Sequence, residues 1–374
     1  MKKVFKVLLL IVIFVLVLAV GFILTLQLFE YRPNDLTDLE IVDNLTVEEA
    51  NYVNLNETIR ILTFNTGYAS LSETEDFAMD GGTKGRMDSL LEVEANIDGI
   101  SQILEAASAD IYLLQEVDVD SDRSYNTTQY SHYQDLLNLP NTLGYNYRCI
   151  YVPFPFTFGQ MMGSVNSGIV SFVDFYVAES VRHQLPGSFS WPISLANLKR
   201  CVVVSRLPIA DSDKEFIIIN VHLSAYDDGT MRLQEMAALK TIVSTEYEAG
   251  NYVLVGGDFN QTFPNAVTIT DNQDGTETYD YLFALNNPDY WQAFPMENDW
   301  FIENGFQFGT DLSTPTCRLL NQAYDTINDE NNQYYYIDGY IVSSNIEIKN
   351  VTTLQENFKY SDHNPVQIEI KLRP

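Results

Sequence analysis

Residues Val7 to Leu26 form an uninterrupted apolar run of 20 residues in which Thr25 alone is polar, and Lys2, Lys3 and Lys6 precede it. A run of that length crosses the hydrocarbon core of a bilayer as a helix. It must therefore stand apart from whatever the rest of the chain folds into. A cleaved secretory signal carries a shorter apolar stretch and small residues before its cut site, whereas Gln27, Leu28, Phe29 and Glu30 follow here. The sequence predicts an uncleaved anchor over 1–29. The lysines keep its N-terminus cytoplasmic and send the remainder outside. Residues 30–57, rich in Asn, Asp, Glu and Thr, read as a polar tether, and 58–374 as one folded domain.

Charge narrows the partners. The chain carries 51 Asp plus Glu against 21 Lys plus Arg. With the three leader lysines on the far side, the outer part keeps 18 basic residues against 51 acidic ones, a formal −33. Such a field repels polyphosphate backbones and anionic surfaces over ~8 Å at physiological salt. Stable nucleic-acid binding is thus disfavoured, although a local basic pocket or a bound cation still captures a single phosphate. The three cysteines, Cys149, Cys201 and Cys317, allow at most one bridge and no disulfide framework. Cys149 and Cys201 lie in strand-like runs and read as core residues.

From Ile59 onward, strand-like runs alternate with helical or loop segments, without repeats. Strands are expected at Ile59–Thr66, Asp110–Val117, Tyr147–Val152, Gly168–Glu179, Arg200–Ser205, Phe216–Leu223, Tyr252–Asp258, Tyr334–Val342 and Val366–Leu372. Met87–Ala107 and Thr230–Ala249 show helical spacing of apolar residues, the second stopped by Gly250. This is the pattern of a single mixed α/β domain. Ser70–Arg86, Pro153–Ser167 and Gln261–Thr316 read as long loops, which in a compact domain usually line a site.

Polar residues recur where strands run out. They are Asn65, Gln115-Glu116, Asn220 with His222, Asp258 with Asn260 after two glycines, Asp338, and Asp362-His363. A carboxylate ending an apolar strand is costly unless paired, hydrogen-bonded or metal-bound. Glu116 is accordingly a natural oxygen ligand for a hard cation. Alternation sets Asn220 and His222 on one strand face. A carboxylate such as Asp338 can orient His363 and stabilise its imidazolium. Taken singly, each motif has a plain reading as a strand-ending turn or a core histidine. Their conjunction brings two imidazoles, four carboxylates and several amides to strand ends, and no Ser or Cys nucleophile motif competes. His132 and His183 lie outside these motifs and receive no role.

These blocks, in this order from Ile59 to Leu372, resemble the endonuclease/exonuclease/phosphatase superfamily, which includes DNase I-like nucleases, neutral sphingomyelinases and inositol polyphosphate 5-phosphatases. The resemblance implies an α/β four-layer sandwich, two packed central mixed β-sheets flanked by helices, here preceded by one transmembrane helix. It also implies a Mg²⁺ (or Mn²⁺) cofactor bound by Glu116, Asn65 and Asp362. Asp258 and Asn260 match the element that positions the attacking water, His222 the histidine on the scissile phosphate, and Asp338 and His363 the acid–histidine pair. Thr66 and Gly67 follow Asn65 where some nucleases of the superfamily carry an acidic residue, which weakens a second metal site.

The expected activity is metal-dependent hydrolysis of a phosphate ester by activated water, with His363 and Asp258 as rival general bases. Lys84, Arg86, Lys199 and Arg200 are basic spots that could grip a substrate phosphate. The aromatic loop containing Phe154, Phe156, Phe158 and Met161-Met162 either reaches lipid or packs beneath itself. A phosphodiesterase acting on lipid head groups is the leading expectation. An extracellular nuclease and a catalytically silent binding module of the same fold are the alternatives.

Overall fold

The computed structural model describes residues 2–47, 50–272, 277–282 and 290–374. Helix α1 spans Lys2–Leu28, is long and apolar enough to cross a membrane, and buries only Leu26. The segment after it, expected as a polar tether, pairs with the domain. Leu36–Asp38 forms β1 and pairs antiparallel with Glu179–Gln184. Val42 bridges Asn141, and Val53 bridges Ile209 and is fully buried. Backbone groups that pair with the edge of a sheet hold the segment down whatever its side chains are. Residues 30–57 are thus a docked strap over their described length.

The strands after β1 are β2 (Ile59–Asn65), β3 (Ile111–Asp118), β4 (Asn141–Val152), β5 (Gly163–Val173), β6 (Glu179–Gln184), β7 (Cys201–Pro208), β8 (Glu215–His222) and β9 (Tyr252–Asp258). The later ones are β10 (Val267–Asp271), β11 (Glu277–Tyr281), β12 (Phe306–Gly309), β13 (Cys317–Arg318), β14 (Tyr334–Tyr335), β15 (Asp338–Ser343), β16 (Ile346–Thr353) and β17 (Val366–Leu372). One sheet runs β1-β6-β7-β8-β9-β15-β12 and the other β16-β17-β2-β3-β5-β4. Both are mixed: β8 and β9, and β2 and β3, are parallel.

Period-two alternation explains the stacking. Phe216 and Ile218 of β8 meet Ile61, Leu113 and Ile368 in a core between the sheets. Ile217 and Ile219, one residue out of phase, pack on Met236, Leu239 and Val243 of α3 (Thr230–Glu248). On the far side, Leu62 and Phe64 pack on Val93, Ile97 and Ile100 of α2 (Leu90–Ala107). Ser89 caps α2 by accepting from the Glu92 N–H, which is why the helix starts three residues later than apolar spacing implies. The result is four layers, helix, sheet, sheet and helix. The sheets approach closely at Gly256, where a Cβ would sit 2.7 Å from Leu113 Cδ1 and 2.8 Å from the Tyr340 ring. The Tyr340 hydroxyl, 2.7 Å from the Val366 carbonyl, ties one sheet to the other.

Candidate active site

Strand register assembles the polar residues. His222 is paired with Asp258 across the parallel β8–β9 ladder, and Asp258 with Asp338 across the antiparallel β9–β15 ladder. The three side chains therefore stand in one row at one sheet end. In the other sheet Asn65 is paired with Gln115 at the end of β2–β3. Asn65 Nδ2 donates to Asp258 Oδ2 at 3.0 Å, joining the two sheet ends. Gly257 makes this possible: at φ +151° it runs so close to β8 that a Cβ would lie 2.1 Å from the Val221 carbonyl oxygen.

Glu116 is placed by an irregularity. The β3–β5 register shifts between Leu114 and Val117, and Glu116 takes φ 55°. An unpaired residue in a bulge re-aims its side chain, and a non-glycine in the left-handed region marks a position held by its surroundings. Glu116 Oε1 lies 3.6 Å from His222 Nε2 and 3.5 Å from Asn65 Nδ2. The adjacent Gln115 points the other way and donates to Asn220 Oδ1 at 2.8 Å between the sheets. Asn220 is thus a structural amide, although it shares a strand face with His222.

His363 follows the 316–318 segment, where Cys317 bridges it, and its Nδ1 lies 2.8 Å from Asp338 Oδ2. Its Nε2 faces Asp362 Oδ2 at 3.8 Å, Asp258 Oδ2 at 3.9 Å and Asn65 Nδ2 at 3.4 Å. Burial opposes the charged form of this ring, but the Asp338 and Asp362 carboxylates outweigh it and raise its pKa well above the ordinary range. Burial, with Arg200 adding to it, pushes His222 well below that range. The surroundings thus push the two imidazoles in opposite directions. Burial, reinforced by Asp338, pushes Asp258 up to about 7. Asp362 is also raised to about 7, by burial first, with His363 opposing and Glu116 adding.

Asn65, Glu116, His222, Asp258, Asp362 and His363 line one cavity of about 630 Å³, with Asp338 behind His363. Of the four basic residues expected to hold phosphate, Arg200 lines it. Lys84 is instead paired with Glu75 and Asp88, at 3.0 and 2.7 Å, and Arg86 lies over the Tyr125 ring. Lys199 is paired with Glu30 at 2.8 Å. In this acidic chain the cations are consumed by local carboxylates. The cavity does contain Arg123 and Arg318, which the sequence reading missed. Arg123 sits in an Asp- and Ser-rich stretch that reads as a surface turn, yet it is buried, paired with Asp118 at 2.8 Å, and lies 3.6 Å over the Tyr68 ring.

Two amides frame the carboxylates. Asn65 turns its oxygen to the Gly67 N–H at 3.0 Å and its nitrogen to the carboxylates, and lines the cavity. Asn260 spends its amide on the Leu223 carbonyl at 2.8 Å, while its backbone N–H holds Asp258 Oδ1 at 2.8 Å. It both positions Asp258 and lines the cavity. The remaining donors fit a hard divalent cation. Glu116 and Asp362 both line the cavity, and neither has a Lys or Arg ion pair among the described residues. Part of the upward push on Asp362 comes from Glu116, a like-charge repulsion that a bound cation would relieve. Ligand atoms of Asp258, Asp338 and His363 also lie within 4.8 Å of one another, as do those of Cys317, Asp362 and His363. The short Asp338 contact already occupies His363 Nδ1, so the first group is a hydrogen-bonded relay.

The family model for the endonuclease/exonuclease/phosphatase family matches residues 88–363. The structure of an endonuclease/exonuclease/phosphatase from Beutenbergia cavernae is similar at TM-score 0.56 and 15% identity, over 85% of this chain and 72% of that one. A functionally unknown conserved protein from Enterococcus faecalis is similar at TM-score 0.52 and 14% identity, over 84% of this chain and 100% of that one. At such identities the likeness is one of fold. No curated protein matches the sequence. The family match takes in Glu116, His222, Asp258, Asp338 and His363 together, and the chain belongs to the endonuclease/exonuclease/phosphatase family.

Proposed function

We propose that this chain is a divalent-cation-dependent phosphodiesterase, held by α1 with its domain outside the membrane, that hydrolyses phospholipid head groups. One observation carries the reading: a single cavity joins the polar floor of Glu116, Asp258 and His363 to walls of Phe77, Phe154, Met162 and Leu198. A polar floor under apolar walls suits an amphiphile whose phosphate reacts while its chains are sheltered.

The floor supports in-line attack of water on phosphorus. Asp258 accepts the water proton, held in place by Asn65 Nδ2 and the Asn260 N–H. In this reading His363, held and kept charged by Asp338, donates to a phosphoryl or leaving oxygen, and Asp258 is the base. His222 Nε2 and Arg200 face the same phosphate. Glu116 and Asp362 would hold Mg²⁺ or Mn²⁺, which polarises a phosphoryl oxygen when bound.

The test is hydrolysis by the full chain in detergent micelles, with Mg²⁺, of phosphatidylcholine, phosphatidylglycerol and duplex DNA. Lipid head-group release that far exceeds DNA cleavage is expected. Preferential DNA cleavage would replace this reading with that of a nuclease. Metal binding without turnover on any substrate would leave a binding module.

A further inference from the structure

The described residues place an unusual partner beside the cavity: its walls include Phe22, Ile23 and Leu26 of α1, the helix that is long and apolar enough to span a bilayer. The helix end is built into the domain. Leu26 is 6% exposed and packs with Tyr147, Val152, Met162 and Leu195. The Phe22 ring meets Tyr151 edge-on, Gln27 Oε1 accepts from the Trp191 indole at 3.0 Å, and Glu30 pairs with Lys199. Around this junction the domain exposes large apolar side chains to solvent: Phe158 at 100%, Phe156 at 84%, Trp191 at 63% and Ile193 at 58%. Two of these, Phe156 and Ile193, also line the cavity.

Helix geometry sets the depth. Residues 7–26 rise ~30 Å, the thickness of a hydrocarbon core, so Leu26 lies at the outer boundary and Phe22 only ~6 Å beneath it. The α1 residues that line the cavity are therefore level with lipid glycerol groups and upper acyl chains. The exposed aromatic collar falls where Trp and Phe side chains enter an interface. An apolar patch of this kind around a membrane helix, continuous with it and with the cavity, has the bilayer as its occupant.

We infer that the cavity opens sideways into the outer leaflet, that a phospholipid slides in with its phosphate toward the floor, and that Phe22, Ile23 and Leu26 form the wall against which an acyl chain lies. The membrane helix is then part of the substrate site as well as an anchor. This rests on the phosphodiesterase reading and adds the route and the acyl contact to it.

The experiment uses the full chain in vesicles of phosphatidylcholine with phosphatidylglycerol, with Mg²⁺. Hydrolysis of these long-chain lipids is compared with that of water-soluble bis(p-nitrophenyl) phosphate. Phe158→Ser with Trp191→Ser, both outside the cavity lining, should lower long-chain hydrolysis roughly tenfold while the soluble ester is cleaved at the wild-type rate. Ile23→Trp, which fills the wall, should shift preference toward short-chain lipids. Independently of activity, phospholipids brominated on the upper acyl chain should quench a fluorescence component that Trp191→Phe removes. Wild-type long-chain turnover in both variants, or an unquenched Trp191, would overturn lateral entry while leaving the phosphodiesterase reading intact. Failure of the wild type to cleave either ester would remove both.

Discussion

Asp338→Asn separates charge from shape at the 2.8 Å contact with His363 Nδ1. At that distance and an effective dielectric of ~20 the gross attraction is about 6 kcal/mol. Desolvation of the buried pair offsets part of it, and removing one partner of such a pair costs ~3–5 kcal/mol. Loss of the Asp338 charge therefore lowers the His363 pKa from its raised position. Asn still accepts from the ring N–H, so the fold is retained. The wild-type ring is charged below its raised pKa and discharges as pH rises through it, and the variant discharges at correspondingly lower pH. Turnover of bis(p-nitrophenyl) phosphate near pH 7.5 should drop by ~10²–10⁴-fold, with the basic limb of the kcat profile displaced toward acid. A basic limb that stays in place, with the variant folded, would refute a charged His363 as the donor.

Other consequences concern stability. Asp258 and Asp362 are raised to about 7 from the ordinary 3.8, so the folded chain holds protons there that the unfolded chain has lost. Their contribution to stability is full below pH 4 and is lost as pH rises toward 7. Melting in EDTA should therefore fall across that window, less steeply in Asp362→Asn, and added Mg²⁺ should flatten it. Slopes that match in both proteins would refute the repulsion. Arg123→Met leaves Asp118 buried and unpaired and should cost ~3–5 kcal/mol in urea denaturation, with Arg123→Met/Asp118→Leu recovering much of it. Val53→Ala should cost ~2 kcal/mol because the strap is docked and Val53 is fully buried, whereas a free tether would lose nothing. Gly257→Ala, which forces a Cβ onto the Val221 carbonyl, should lower activity and melting temperature together.

The legibility of this chain follows the physics of its elements. Buried strands such as Tyr252–Asp258 announce themselves as apolar runs ending in Gly-Gly-Asp, and strand ends carry the polar row of His222, Asp258 and Asp338. β16 and β17 differ in this respect. Val366–Leu372 alternates and was found, while Ile346–Thr353 is polar and half-exposed and was not. The strap was missed because backbone pairing and a few apolar residues hold it, and neither changes its composition. Expected β4 begins at Tyr147, but pairing with β5 carries it back to Asn141 through residues with no strand signal. Arg123 was hidden because burial of a cation depends on tertiary partners. The aromatic loop divides, Met162 packing beneath it while Phe156 and Phe158 face outward, which alternation in a loop does not reveal.

The most direct test of a cation-dependent phosphoester site is the hydrolysis of bis(p-nitrophenyl) phosphate by the full chain in detergent micelles. It compares EDTA with added Mg²⁺ or Mn²⁺, and wild type with Glu116→Ala and His363→Ala. The account predicts turnover that requires the metal and is lost in both variants while their melting profiles persist. Metal-independent turnover, or near-wild-type rates in a folded Glu116→Ala or His363→Ala, would contradict it.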